Sequence, residues 1–134
     1  MTRILRQAAL VCTLLLAGTT AHAQRVAAPA RAGTAGHYLL SDNVGTWTHA
    51  SPALGELTLT LGSNGVYRFA QVKAGNTKRL AGEYAFVDER GRTDLLLFSG
   101  PRAAKKEPSV RWSYSKSGKD LITLRNRLFA RKPR

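Results

Sequence analysis

Residues 56–69 read ELTLTLGSNGVYRF, and this stretch decides the fold. Leu57, Leu59 and Leu61 alternate with polar residues, so one face of the segment is apolar and the opposite face is polar. Alternation with a period of two is typical of a β-strand that buries one face. The letters GSNG that follow supply residues that tolerate a positive φ in a tight turn. The stretch therefore predicts two antiparallel strands joined by a short reversal.

The same alternation recurs along the chain from His37 onward. Short segments of alternating apolar and polar residues are separated by turns rich in glycine, asparagine and aspartate. Closing a meander of this kind removes exposed strand edges, so we expect an all-β, antiparallel up-and-down barrel. A two-sheet sandwich is the alternative. About eight short strands are predicted, near residues 44–49, 56–61, 67–69, 82–86, 95–98, 110–114, 121–125 and 128–130.

The first residues predict export. Arg3 and Arg6 precede an apolar stretch that ends near Gly18, and the A-x-A site at residues 21–23 follows. This order is that of a cleaved signal peptide, and the apolar stretch spans only about half of a bilayer core of roughly 30 Å. We therefore divide the chain into a signal peptide (1–23), a flexible Ala/Gly/Pro linker (24–36) and a barrel domain with a basic tail (37–134). A periplasmic or secreted protein is expected, with no transmembrane segment after processing.

Charge and cysteine content restrict the partners and the chemistry. The formal net charge is +13, and only Arg3 and Arg6 of its cations would leave with the signal peptide. A basic exported protein favours anionic lipid, polysaccharide or protein partners, and nucleic acid is not expected. Cys12 is the only cysteine and lies in the predicted signal peptide. The processed chain would therefore form neither a disulfide nor a thiolate metal site.

Four short motifs suggest a family. The triplets GTW at 45–47, GVY at 65–67, GEY at 82–84 and SGP at 99–101 together resemble small lipocalin-like (calycin-type) secreted barrels of bacteria. The resemblance implies that Gly45 and Trp47 open the first barrel strand and that Trp47 closes one end. It also implies that Arg131, or alternatively Arg127, packs over the indole ring. Such a pairing agrees with the strong attraction between guanidinium and indole.

The predicted inward faces carry several large aromatic side chains. An eight-stranded barrel is just wide enough to be filled by its own side chains or to hold one small ligand. Both outcomes stay open at this point. The candidate ligand-binding or core residues are Tyr67, Phe69, Tyr84, Phe86, Trp112 and Tyr114.

Catalytic chemistry finds little support. His37 and His49 are the only histidines beyond the predicted signal peptide, and neither stands in a nucleophile motif. They are expected to be surface residues at strand ends. Their spacing does not suit a metal, so no metal or cofactor is predicted. Asp88 and Glu89 precede a glycine turn, which favours a solvated hairpin tip over a catalytic carboxylate pair.

The sequence thus predicts an exported, lipocalin-like, non-catalytic protein that binds a small apolar or amphiphilic ligand. The alternative is an envelope adaptor or inhibitor that contacts a protein or an anionic polymer through a basic surface. The tail from Arg125 to Arg134 is expected to place positive charge at one end of the barrel. The candidate residues for this anionic contact are Arg102, Lys105, Lys106, Arg125, Arg127 and Lys132.

Overall fold

A computed structural model describes residues 24–27, 36–101 and 107–133 of the 134-residue chain. The predicted signal peptide and most of the predicted linker lie outside the described residues. A 3-10 turn at Ser41–Asn43 precedes the barrel. The ten strands are β1 (Arg25–Ala27), β2 (His37–Leu40), β3 (Gly45–Ser51), β4 (Gly55–Leu61), β5 (Val66–Lys73), β6 (Asn76–Glu89), β7 (Arg92–Leu97), β8 (Val110–Gly118), β9 (Leu121–Leu124) and β10 (Arg127–Arg131).

Strands β3 to β10 form a closed antiparallel barrel. Each pairs with the next along the chain, and β10 pairs with β3 through Ala130 opposite Thr48 and Arg131 opposite Trp47. The predicted up-and-down barrel of eight strands is confirmed, and the sandwich alternative is wrong. The architecture is compatible with a lipocalin-like fold. Within the described residues, no helix has the length and apolar character needed to cross a membrane.

Alternation along the strands builds the core. Leu57, Leu59 and Leu61 are buried, whereas the threonines between them are only half-buried. Facing them across the β4–β5 pair, Tyr67 and Phe69 point to the same side of the sheet. Because side chains alternate between the two faces of a strand, every apolar residue of this pattern enters the lumen. The barrel interior is therefore the main hydrophobic core.

The two ends of the barrel differ. The 3-10 turn lies at one end, together with the turns that follow β4, β6 and β8. The opposite end carries the turns after β3, β5 and β9 and the segment between β7 and β8. At the first end the Trp47 indole nitrogen donates to the Asn43 carbonyl at 2.9 Å, and the Asn43 amide donates to the Tyr114 hydroxyl at 2.8 Å. We call this the closed end and the other the open end.

Arg131 completes the closed end. Its guanidinium lies 4.3 Å from the centre of the fully buried Trp47 ring. It also donates to the Val44 carbonyl at 2.6 Å and to the Asp42 carbonyl at 2.5 Å, while its Nε reaches Asp120 at 3.0 Å. The Arg131 side chain thus connects β10 to β3 and to the 3-10 turn. Of the two arginines considered for this position, Arg131 occupies it, and Arg127 begins β10 at the open end.

Within the predicted linker, Arg25–Ala27 form β1 and pair with β2. Arg25 makes an ion pair with Asp88 at 2.7 Å and lies 4.7 Å from the centre of the Tyr38 ring. Strand β2 in turn adds to the edge of β6 beyond the end of β5. Composition alone suggested flexibility because these residues bury little apolar surface, whereas backbone pairing and the Arg25 contacts order them.

Replacing Arg131 by lysine is expected to lower the free energy of unfolding by about 1–3 kcal/mol, because an ammonium loses the planar fork that serves several acceptors and the indole face. Urea titration followed by circular dichroism measures the change. Lys132→Gln is the matched control, since Lys132 is exposed and only its backbone N–H bonds across the closure. Equal stability of R131K and the wild type would contradict the importance of this contact.

Candidate functional site

A pocket of about 300 Å³ lies at the open end of the barrel. Its apolar part comes from residues on several different strands, and its polar part comes from Gln71 and two arginines. The lining residues are Leu54, Leu57, Phe69, Gln71, Trp112, Leu124, Arg125, Arg127 and Phe129. Pockets of this kind, apolar with a few polar groups, are typical of small-molecule sites, and about 300 Å³ is the lower end of their usual size.

The base of the pocket is an aromatic pair. The rings of Phe69 on β5 and Trp112 on β8 meet edge to face, with their centres 5.5 Å apart. Both rings are only half-buried and pack against the main core. The next inward residues toward the closed end are Tyr67, which is fully buried in the core, and Tyr114, which packs against that core and is absent from the pocket lining. The pair therefore separates a filled half of the barrel from an accessible half.

The rim of the pocket is held by short connections. Gln71 donates from its amide to the Leu54 carbonyl at 2.8 Å, which fixes the β3–β4 turn against β5. Arg125 and Asn126 form the two-residue turn between β9 and β10, with φ angles of 50° and 63°. Positive φ at both central residues is the pattern of a type I′ turn, which suits the twist of a hairpin. The Arg125 backbone N–H also bonds to the Ser113 carbonyl at 2.9 Å.

The six predicted ligand-binding or core aromatics separate into two groups. Phe69 and Trp112 line the pocket. The other four lie toward the closed end: Tyr67, Tyr84 and Phe86 are fully buried there, and the half-buried Tyr114 meets Phe86 edge to face with 5.0 Å between ring centres. These four belong to the main core or pack against it, and none of them lines the pocket.

Sequence reasoning did not assign Leu54, Leu57, Gln71, Leu124 and Phe129 to the pocket. Gln71 continues the face of Phe69 by the period of two, which is a usable signal. Leu124 follows Ile122 on the inner face of β9 in the same way. Leu54 lies in the turn between β3 and β4, and the side-chain orientation of a turn residue cannot be predicted from strand periodicity.

The predicted basic residues do not form one patch. Arg125 and Arg127 line the pocket at the open end, whereas Lys132 follows β10 at the closed end, where its N–H bonds to the Thr46 carbonyl. The expectation that the tail places its charge at one end is wrong, because β10 runs the height of the barrel between them. Arg102, Lys105 and Lys106 lie outside the described residues.

The two histidines in the described part of the chain lie in different surroundings. His49 is half-buried, and its Nδ1 donates to the Leu128 carbonyl at 2.9 Å, since a carbonyl only accepts. Its ring lies 5.4 Å from that of Phe129, so it is a partly packed wall residue rather than the surface histidine expected. His37 lies 6.3 Å from the Phe98 ring on the outer side of the barrel. In the described part of the chain, no cluster of His, Cys, Asp or Glu suits a metal.

Asp88 and Glu89 belong to a network of ion pairs at the closed end. Asp88 accepts hydrogen bonds from the Tyr38 hydroxyl at 2.6 Å and from Thr93 at 2.7 Å, and the bond from Tyr38 is the main reason that the pKa of this carboxyl is lowered. Glu89 pairs with Arg111, which also binds the buried carboxylate of Asp94 at 2.7 Å. These carboxylates connect neighbouring strands, and none of them lines the pocket at the open end.

Comparisons of the chain with protein-family models, with curated proteins and with solved structures found no match. The interpretation of the pocket therefore depends on the geometry and chemistry of its own residues.

Two buried tyrosines at the closed end provide a matched test of how the filled half is held. Burial raises the pKa of Tyr67 to about 12, and burial also raises that of Tyr84. The Tyr67 hydroxyl is buried with no hydrogen-bond partner among the described residues, whereas the Tyr84 hydroxyl donates to the Gly62 carbonyl at 2.7 Å. A raised tyrosine pKa stabilises the fold fully below the ordinary pKa of about 10. That stability is lost as the pH rises toward about 12.

We expect Tyr67→Phe to leave the free energy of unfolding at pH 7 unchanged or to raise it by about 1 kcal/mol, because it removes an unpaired buried hydroxyl. Tyr84→Phe should lower it by about 1 kcal/mol, because it removes a hydrogen bond. Y67F should also lose less stability between pH 10 and 12 than the wild type. Urea midpoints at neutral and alkaline pH measure these effects. A larger loss in Y67F than in Y84F at pH 7 would contradict the assignment.

Proposed function

We propose that this protein is an exported, lipocalin-like, non-catalytic binding protein that holds a small, mainly apolar ligand in the pocket at the open end of its barrel. The observation that carries the proposal is the contrast between the two halves of the lumen. Side chains fill the half near Trp47, and the half beyond the Phe69–Trp112 pair keeps about 300 Å³ accessible. A half-open pocket of this size suits a small ligand, because small-molecule sites begin at about 300 Å³.

The chemistry of the lining supports a binding role. Leucine and phenylalanine side chains form most of the wall, and Trp112 offers an indole face at the base. Apolar contacts of this kind supply affinity through the removal of apolar surface from water. None of the described histidines and carboxylates belongs to the lining, which supports binding over acid–base chemistry at this pocket. The proposed role is therefore to bind and hold the ligand rather than to transform it.

The scaffold suits such a role because its rigidity is concentrated away from the mouth. Arg131 and Trp47 close one end, and ion pairs such as Arg25–Asp88 and Arg111–Asp94 tie the strands near it. A preformed site loses less conformational entropy on binding than one that must be ordered. The pocket walls belong mostly to strands rather than to loops, and strands hold their side chains in a defined geometry.

Leu54→Trp is expected to weaken the binding of 1-naphthol, a neutral aromatic probe, by about tenfold or more, because the indole would occupy space in the pocket and each factor of ten is about 1.4 kcal/mol. Isothermal titration calorimetry measures the affinity. Val66→Trp is the matched control, since it adds the same ring at an exposed position on the outer wall.

Wild-type protein that binds no 1-naphthol, or the same affinity in L54W, V66W and the wild type, would count against a ligand site at the open end. Thermal unfolding of all three proteins shows whether the barrel is intact in each. Native mass spectrometry of protein from its own host provides a second readout, because a retained ligand adds a defined mass.

A further inference from the structure

We propose that the ligand is an anionic amphiphile, and that Arg125 and Arg127 bind its acidic head group at the mouth while the apolar part enters the pocket; this inference rests on the binding function proposed above. Both guanidinium-bearing residues line the same pocket of about 300 Å³. Arginine is well suited to carboxylates because its planar fork donates two parallel hydrogen bonds.

The distribution of charge over the barrel supports an anion at this place. The carboxylates in the ion pairs of the described residues lie toward the closed end: Asp42, Asp88, Glu89, Asp94 and Asp120. By contrast, Arg125 and Arg127 form no ion pair with any described residue. The ion-paired carboxylates thus compensate part of the positive charge toward the closed end, and none of them pairs with the two arginines at the mouth.

Carboxylates near the open end do not compensate the two arginines. Glu56 lies on the outer face of β4, because it alternates with the inward Leu57. Glu107 is exposed in the segment between β7 and β8, and neither carboxylate pairs with Arg125 or Arg127 in the described structure. Two like charges beside one small pocket repel each other, and an anion held between them would remove that repulsion.

The two arginines are also held in place before any ligand arrives. Arg125 occupies a two-residue turn with a positive φ, and its backbone is bonded to β8 through the Ser113 carbonyl. Arg127 is half-buried and begins β10 opposite Leu124. Its guanidinium makes only a long contact, 3.4 Å, with the Arg125 carbonyl. The backbone positions are therefore fixed, while the guanidinium donors stay available to a ligand.

Pocket size limits the apolar part of the ligand. A cavity of about 150 Å³ holds one benzene molecule. The pocket is about twice that volume, which suits a medium-chain acid of roughly a dozen non-hydrogen atoms. Decanoate meets this description, and decanol is its uncharged counterpart of nearly the same size. Comparing the two compounds separates the contribution of the acidic head group to binding from that of the alkyl chain.

Decanoate and decanol titrated into the purified protein test the inference, with tryptophan fluorescence as the readout because Trp112 lines the pocket and Trp47 is buried at the other end. We expect decanoate to bind about tenfold more tightly than decanol, and we expect added salt to weaken only decanoate. In the double variant R125Q/R127Q, decanoate affinity should fall to that of decanol. R125K/R127K, which keeps the charges, should retain most of the difference.

The matched control is R68Q/R79Q, which removes the same number of charges from the outer wall. Arg68 and Arg79 are exposed on the outer faces of β5 and β6 and form no ion pair within the described part of the chain. This control should bind decanoate as the wild type does, and an equal loss in both double variants would overturn the assignment to the mouth. Decanol binding equal to decanoate binding would overturn the anionic head group and leave the pocket function standing. Absence of binding by both probes would overturn the pocket function itself.

Discussion

The contact between Arg131 and Trp47 is the constraint on which the rest of the structure depends. A meander of eight strands becomes a barrel only if its last strand pairs with its first. Here β10 pairs with β3 at two positions. One arginine adds hydrogen bonds to two carbonyls of the segment before β3 and covers the indole ring. Without this closure β3 and β10 would present open edges, which invite pairing with other chains. The lumen, and therefore the pocket, exists because these edges are joined.

Closure at one end also explains why the two halves of the lumen differ. The 3-10 turn and the Trp47 ring occupy the closed end, and large aromatic side chains such as Tyr84 and Phe86 pack directly above them. Toward the other end the turns after β3, β5 and β9 are short, and the pocket lies among them. The filled half supplies the buried apolar area that stabilises the fold. The accessible half is left to function, as is usual for sites built on a rigid scaffold.

Much of the fold could be predicted from the sequence, because a period of two and glycine-containing turns depend on local geometry alone. The alternation at Leu57 to Leu61 and the turn at Arg90 and Gly91 are of this kind. The position of a side chain along the barrel axis could not be predicted in this way, because it depends on the stagger between strands. For this reason the sequence did not indicate that Phe69 lines the pocket while Tyr67, two residues away on the same face, lies in the core.

Other parts of the site depended on contacts between distant segments. Arg127 and Arg131 look alike in sequence, yet one faces the mouth and the other closes the opposite end, because β10 spans the distance between them. The ordering of Arg25 similarly depends on Asp88, which no local pattern reveals. The turn at Arg125 and Asn126 did carry a local signal, since asparagine tolerates positive φ. Sequence predicted the elements, and long-range pairing determined their positions.

The closure between β3 and β10 has a consequence for how the chain folds. Its two partners are the first and last strands of the barrel, so this contact joins residues far apart in the described chain. Folding rates fall as contacts become less local, because loop entropy is lost before those contacts form. We therefore expect slow folding, on the millisecond to second scale typical of all-β proteins. Until Arg131 reaches Trp47, the edges of β3 and β10 are unpaired. The chain is most prone to self-association during this stage of folding.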